Sequence, residues 1–181
     1  VHLTGKGDKP DPGFGHYAKL QTLQDLPSED ILLVPFVNAA FWMIPIHVLQ
    51  KVGGFCPLFY HYGEDKDFVN RLHYHQYQVG YSPQVFGNHD REYRPSTHEG
   101  FLRTESVYHL SEYVNINHPW LKAFGYGVLA VMKKALTSLI SGKFQLSKDY
   151  LRMGFQLLSR STEIQSYRKI NRLSQPHYIQ K

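Results

Sequence analysis

The sequence predicts an α/β domain followed by an all-helical, basic tail, on three observations. Between residues 31 and 95, apolar runs of strand length alternate with stretches of helical period. Beyond Pro95 the apolar residues recur every three or four positions, as in amphipathic helices. The charge also divides: residues 1–120 hold 9 Lys/Arg against 13 Asp/Glu, a balance of −4, whereas residues 121–181 hold 11 against 2, a balance of +9. The predicted division is therefore 1–95 for the α/β part and 96–181 for the helical tail.

Along the chain, residues 1–27 are rich in Gly, Pro, Lys and Asp and show neither period, so they predict a loop. After Asp30, the run Ile31-Leu32-Leu33-Val34, continued past Pro35 as Phe36-Val37, predicts a buried strand, and Ala40 to Ile44 is a second apolar run that stops at Pro45. Ile46, Leu49 and Val52 have helical spacing, with Pro45 at the first turn and Gly53-Gly54 past the end. An aromatic loop, residues 55–62, leads to Gly63-Glu64-Asp65-Lys66-Asp67, and the apolar spacing of Phe68, Val69 and Leu72 predicts a helix from Asp65 to about Tyr77. Residues 78–82 and 84–89 predict two short strands interrupted by Pro83. In the tail, the Ser96-x-x-Glu99 spacing predicts a capped helix to about Asn115. Three further helices are expected over 121–141, 147–160 and 162–173.

Composition narrows the function classes. With 42% hydrophobic and 19% charged residues the chain is neither disordered throughout nor of low complexity. One cysteine, Cys56, excludes an intramolecular disulfide framework and a cysteine-rich zinc site, and a cytoplasmic location is the expectation. No leader pattern is expected at Val1, and no run of about 18 uncharged apolar residues predicts a bilayer span. The basic tail carries no interleaved aromatic platform, so nucleic acid is not an expected partner.

The chemistry-bearing residues concentrate between Gly53 and His89. Glu64 and Asp65 are adjacent carboxylates at a helix N-terminus, where free amides and the helix dipole favour negative charge, and they follow a glycine and an aromatic loop. A carboxylate so placed is a candidate general base, and its plain alternative is a capping residue. His61, His73 and His75 predict no shared metal, because His73 and His75 are two apart on a helix and diverge.

The ordered set Gly53-Gly54-Phe55, Gly63-Glu64-Asp65, Asp67, Arg71, Gly80 and His89 resembles the C-terminal half of the catalytic domain of inverting family 2 glycosyltransferases of GT-A type, with their galactosyltransferase and rhamnosyltransferase relatives. The resemblance spans roughly residues 30–90 and departs at Cys56, where an Asp is usual. It implies that Asp65 deprotonates an acceptor hydroxyl attacking a nucleotide-sugar, that Glu64 binds acceptor hydroxyls, and that Asp67 and Arg71 give structural support. It further implies that Asn38 and Trp42 lie near the donor sugar, and that His89 ligates a Mg²⁺ or Mn²⁺ ion neutralising the leaving diphosphate. Such enzymes begin with a nucleotide-binding half containing a D-x-D motif. The expectation is therefore a partial GT-A-type fold that does not bind a nucleotide-sugar tightly by itself and acts on a glycan or lipid-linked acceptor within a larger enzyme.

The stretch from Leu121 to Ser141, with its basic surroundings, also suits an interfacial helix on anionic lipid, which predicts a peripheral position on the inner face of the cell membrane. The rival reading is a noncatalytic interaction module whose acids cap a helix and whose tail docks on a membrane or protein partner.

Overall fold

The computed structural model describes residues 31–39, 41–82 and 97–179. The described residues are 62% helix, with two short strands in one small sheet, and this overturns the α/β expectation and the GT-A-type half-fold that went with it. The strands are β1, Leu32–Val34, and β2, Val79–Tyr81, paired antiparallel with Leu32 opposite Tyr81 and Val34 opposite Val79. The reason is the want of neighbours. Ala40 lies outside the described residues, and from Phe41 to Ile44 the chain is irregular, with Trp42 and Ile44 packed inward and Met43 97% exposed. Its apolar alternation is that of a strand, but among the described residues no ladder partner runs beside it. The opening loop and the strand expected over 84–89 lie outside the described residues.

Around this small sheet, α1 (Ile46–Val52) and α2 (Glu64–Tyr74) meet through Val48, Val52, Phe68 and Leu72. Pro45 precedes α1 with the φ its ring imposes, and Gly53, at φ 84°, turns the chain out of it. Helix α2 starts one residue before its expected start and ends three before its expected end. Gln76, at φ 64°, reverses the chain there, and the Tyr77 amide returns to the Leu72 carbonyl at 2.9 Å.

The tail forms a bundle. Helix α3 (His98–Val114) is capped by Thr97, one residue after the expected Ser96, through its Oγ1 and the Gly100 amide at 3.0 Å. Helix α4 (Trp120–Phe124), a π-helical segment (Gly125–Leu129) and α5 (Ala130–Ile140) run on as one 21-residue helical rod that contains an 18-residue window of mean hydropathy 1.3. This rod is long and apolar enough to cross a membrane by length and composition, although Lys122, Lys133 and Lys134 interrupt it, and a third of it is buried inside the protein. Helices α6 (Phe144–Ser159) and α7 (Ser161–Asn171) complete the bundle. The largest core joins Cys56, Leu58 and Phe59 to Tyr113, Val131, Met153 and Ile164, so the aromatic loop and the tail helices share one interior.

Two glycines make the helix packing possible. A Cβ at Gly127 would lie 2.5 Å from the Tyr113 Cβ, so the rod reaches α3 only because that side chain is absent. At Gly154, α6 comes equally close to Met132 of α5. Gly125 meets nothing within 4 Å and has helical φ and ψ. Gly127→Ala is therefore expected to destabilise the fold by about 1–3 kcal/mol through overpacking. Gly125→Ala should stabilise it by up to about 1 kcal/mol through helix propensity. Urea unfolding midpoints at unchanged m-value check both.

Candidate functional site

The site is built outward from a buried guanidinium. Arg71, on α2, donates from Nε to Asp67 Oδ2 at 2.9 Å, from Nη1 to the Val52 carbonyl at 2.8 Å, and from Nη2 to the Gly54 carbonyl at 2.7 Å. Asp67 and Arg71 are each 1% exposed. Burial pushes the Asp67 carboxyl up, and the adjacent guanidinium pulls it back. This pair fixes the turn after α1 against the first turn of α2, which sets where Glu64 and Asp65 lie.

Two consecutive left-handed residues, Tyr62 at φ 69° and Gly63 at φ 89°, deliver the chain into α2. For tyrosine that conformation costs on the order of 1 kcal/mol. A Cβ at Gly63 would lie 2.7 Å from Val107 Cγ1 and 2.9 Å from the Phe59 ring, so glycine is required there by space as well as by φ. Phe59 and Val107 also line a cleft of about 360 Å³ between the aromatic loop and α3, together with Tyr60, His61, Tyr62 and Arg103. The cleft thus opens beside the helix start that carries the acids.

Two residues apart at about 100° per residue, Asp65 and Asp67 point to different sides of α2. Asp67 turns inward to Arg71. Asp65 is half-buried and its Oδ1 accepts the Lys66 amide at 2.7 Å; among the described residues it makes no ion pair. The nearby cation is engaged elsewhere: Lys66 Nζ meets Glu112 at 2.7 Å and lies 4.6 Å from the Tyr108 ring centre. Glu64 Oε2 is buried at the same turn and has no hydrogen-bond partner among the described residues.

Of the remaining sequence-predicted residues, Trp42 and Asn38 do not line this cleft. Trp42 packs between Phe55, at 6.3 Å, and Phe68, at 5.7 Å, as part of the interior. Asn38 is exposed in the loop after β1. His89 lies outside the described residues. Among the described residues no three His, Cys, Asp or Glu side chains converge on a common point.

The C-terminal strap was not read from the sequence. After α7 the chain returns, and the Gly54 amide donates to the His177 carbonyl at 2.8 Å. A Cβ on Gly53 would lie 2.4 Å from that carbonyl oxygen, and one on Gly54 2.8 Å from the Tyr178 oxygen. The Gly-Gly pair thus serves as a seat for backbone. Tyr178 lies over Arg71, donates to Asn171 Oδ1 at 2.8 Å, and hydrogen-bonds the Cys56 thiol. Burial pushes that thiol up to about 12, with the Asp67 charge adding to the effect. A carboxylate at position 56 would place a second buried anion beside Asp67, so a neutral thiol suits this interior. The only hint of the strap in the sequence is the pair His177-Tyr178 following Pro176.

Compared with protein-family models, with curated proteins and with solved structures, the chain matches none of them.

Two outcomes follow from the clamp and the strap. Arg71→Met leaves Asp67 and two carbonyls without their donor, and should cost about 3–5 kcal/mol in urea unfolding. His177 is held down to about 4 from its ordinary 6.5, first by burial and then by the charges of Arg71 and His75. The undocked strap therefore binds the proton more readily, so docking is at full strength above about pH 6.5 and weakens as pH falls towards 4. The protection factor of the Gly54 amide should drop over that interval, and His177→Phe should remove the drop.

Proposed function

We propose that this chain supplies the general base and the acceptor side of an inverting sugar transfer from a nucleotide-sugar donor to a glycan or lipid-linked hydroxyl. One observation carries the reading. At the start of α2, the buried clamp of Asp67 and Arg71 leaves Glu64 Oε2 and the Asp65 charge without a partner among the described residues, in the turn that follows the cleft-lining Tyr60 and Tyr62. The proposal rests on these residues and their order, and needs nothing from a GT-A half-fold.

In this scheme the acceptor hydroxyl donates to Asp65. As its oxygen forms the bond to the anomeric carbon, the proton passes to the Asp65 carboxylate. The bond from that carbon to the nucleoside diphosphate breaks on the opposite face, and the diphosphate leaves with the electron pair. Glu64 Oε2 accepts from a second hydroxyl of the acceptor and orients it, which satisfies an oxygen otherwise left dry. The exposed rings of Tyr60 and Tyr62 offer faces on which a sugar ring can lie. Arg71 acts at one remove: it holds the first turn of α2, and with it the distance from the carboxylates to the cleft.

The test uses the full gene product that carries this chain. Asp65→Asn keeps the shape and the Lys66 amide contact but cannot take a proton, and should lower transfer at least 100-fold with little change in stability. Glu64→Gln should act mainly through the KM of the acceptor. Transfer by Asp65→Asn within about tenfold of the parent would overturn the assignment and leave the two acids as capping residues.

A further inference from the structure

Helices α5 and α6 form an antiparallel hairpin whose inner sides meet through Val131, Ala135, Met153 and Leu157. The outer side is also apolar. Leu129, Leu136 and Ile140 are 56%, 57% and 77% exposed, and Phe144, Phe155 and Leu158 are 64%, 61% and 46% exposed. At 3.6 residues per turn, positions 129, 133, 136 and 140 fall on one narrow stripe of the first helix, and positions 144, 148, 151, 155 and 158 on one stripe of the second. Each stripe carries one lysine within its apolar set, Lys133 and Lys148, both exposed, and Lys143 and Arg152 are exposed nearby. Between residues 120 and 160 there are seven Lys/Arg and a single acid, Asp149, which is occupied by His98 at 3.0 Å.

We propose that this outer face lies in the plane of an anionic lipid surface, with Leu129, Leu136, Ile140, Phe144, Phe155 and Leu158 entering the acyl boundary and the lysines reaching the headgroups. Charge complementarity selects the occupant. An apolar face with interspersed long basic side chains and almost no acid matches an anionic bilayer, in which lysine stems cover apolar surface while their ammonium groups stay at the phosphates. A protein partner would instead be gripped by aromatic or arginine anchors in pockets. One cleft runs along the aromatic loop and another lies between α3 and α6, lined by Arg103, Asp149, Arg152 and Gln156, and neither is lined by a residue of the two apolar stripes. Spanning is the other geometry that the Trp120–Ile140 rod allows by length. It would require Ala123, Val128, Val131 and Ala135, all buried in the main core, to leave it. The in-plane position keeps that core and uses only side chains that are already exposed. This surface stands whether or not Asp65 is a catalytic base.

The test is sedimentation of the 181-residue chain with vesicles of phosphatidylcholine alone, and with vesicles in which about a third is phosphatidylglycerol. Binding at least tenfold tighter to the anionic vesicles is expected, and it should weaken as salt rises. Lys133→Gln and Lys148→Gln should each lower it about fivefold, the equivalent of one basic side chain at such a surface. Lys169→Gln, an equal loss of charge on α7 outside the hairpin, should change it less than twofold. Ile140→Ser combined with Phe155→Ser should remove the binding that persists at high salt while leaving far-UV helix content unchanged. Four results would overturn the proposal: equal binding to both vesicles, an effect of Lys169→Gln as large as that of Lys133→Gln, resistance of bound chain to alkaline carbonate extraction, or a dimer in solution that the double serine variant dissolves in the absence of vesicle binding.

Discussion

The guanidinium of Arg71 is the contact on which the first half of the described structure depends. It is buried, it carries charge, and it reaches three separate places: its own helix at Asp67, the end of α1 at Val52, and the glycine turn at Gly54. A buried cation is tolerable only when its donors are taken up, and here a carboxylate and two carbonyls take them up. The Tyr178 and Phe68 rings cover its faces at 5.8 and 5.1 Å. One side chain therefore sets the angle between α1 and α2, the conformation of the turn between them, and the seat on which the C-terminal strap rests. The acids of α2 divide accordingly: Asp67 is spent on architecture, so Asp65 and Glu64 are free of it.

A second arginine does comparable work in the tail. Arg168, buried on α7, donates to the carbonyls of Tyr113, Asn115 and His118, the last at 2.6 Å, where α3 ends and its final carbonyls have no helical partner. Burial brings its guanidinium down to about 10. Glu105 is the polar node of the same bundle. It takes Lys134 and the Tyr150 hydroxyl; burial pushes its carboxyl up, but those donors outweigh burial and hold it below the usual carboxylate range. His109 beside it is held neutral-leaning by burial, with Nδ1 on the Tyr126 carbonyl at 2.8 Å. Polar side chains thus close the helix ends and the rod, while the apolar core supplies bulk.

Local signals in the sequence reached about as far as local physics does. The start of α2 was readable because acids in a first turn and a preceding glycine are near-neighbour features, and the tail helices were readable because amphipathic period is a property of a single element. The strands were readable in place, with β1 inside the run 31–34 and β2 inside 78–82, but neither their burial nor the small size of their sheet was. Leu33 is 63% exposed and Met43 is 97% exposed, and a short apolar run does not say whether another strand lies beside it. Trp42 illustrates the same limit at the site: an aromatic residue near a motif can face a ligand or two phenylalanines, and only packing decides for the phenylalanines. The strap was beyond reach because it joins Gly54 to His177, and nothing local to either residue points at the other. The GT-A expectation failed for a related reason. It extended a resemblance in the order of site residues to the layers around them, and that order constrains one turn of helix far more tightly than it constrains a sheet.

The same reasoning accounts for the exposed face of the hairpin. Two helices packed side by side bury one stripe each, and in α5 and α6 that stripe is already filled by small and medium residues, with Ser147 Oγ donating across to the Ala135 carbonyl at 2.9 Å and Gly154 admitting Met132. A second apolar stripe on each helix adds nothing to that contact. On a helix meant only for water, positions such as Ile140 and Phe155 would carry polar side chains, since their burial inside the bundle is precluded by the geometry of the first stripe. Helix α3 lies between the two halves of the molecule, and Arg103 on it borders both clefts, one beside Tyr62 and the other beside Arg152. The helix that borders the cleft of the aromatic loop on one side therefore also borders the hairpin on the other, so α3 stands between the two.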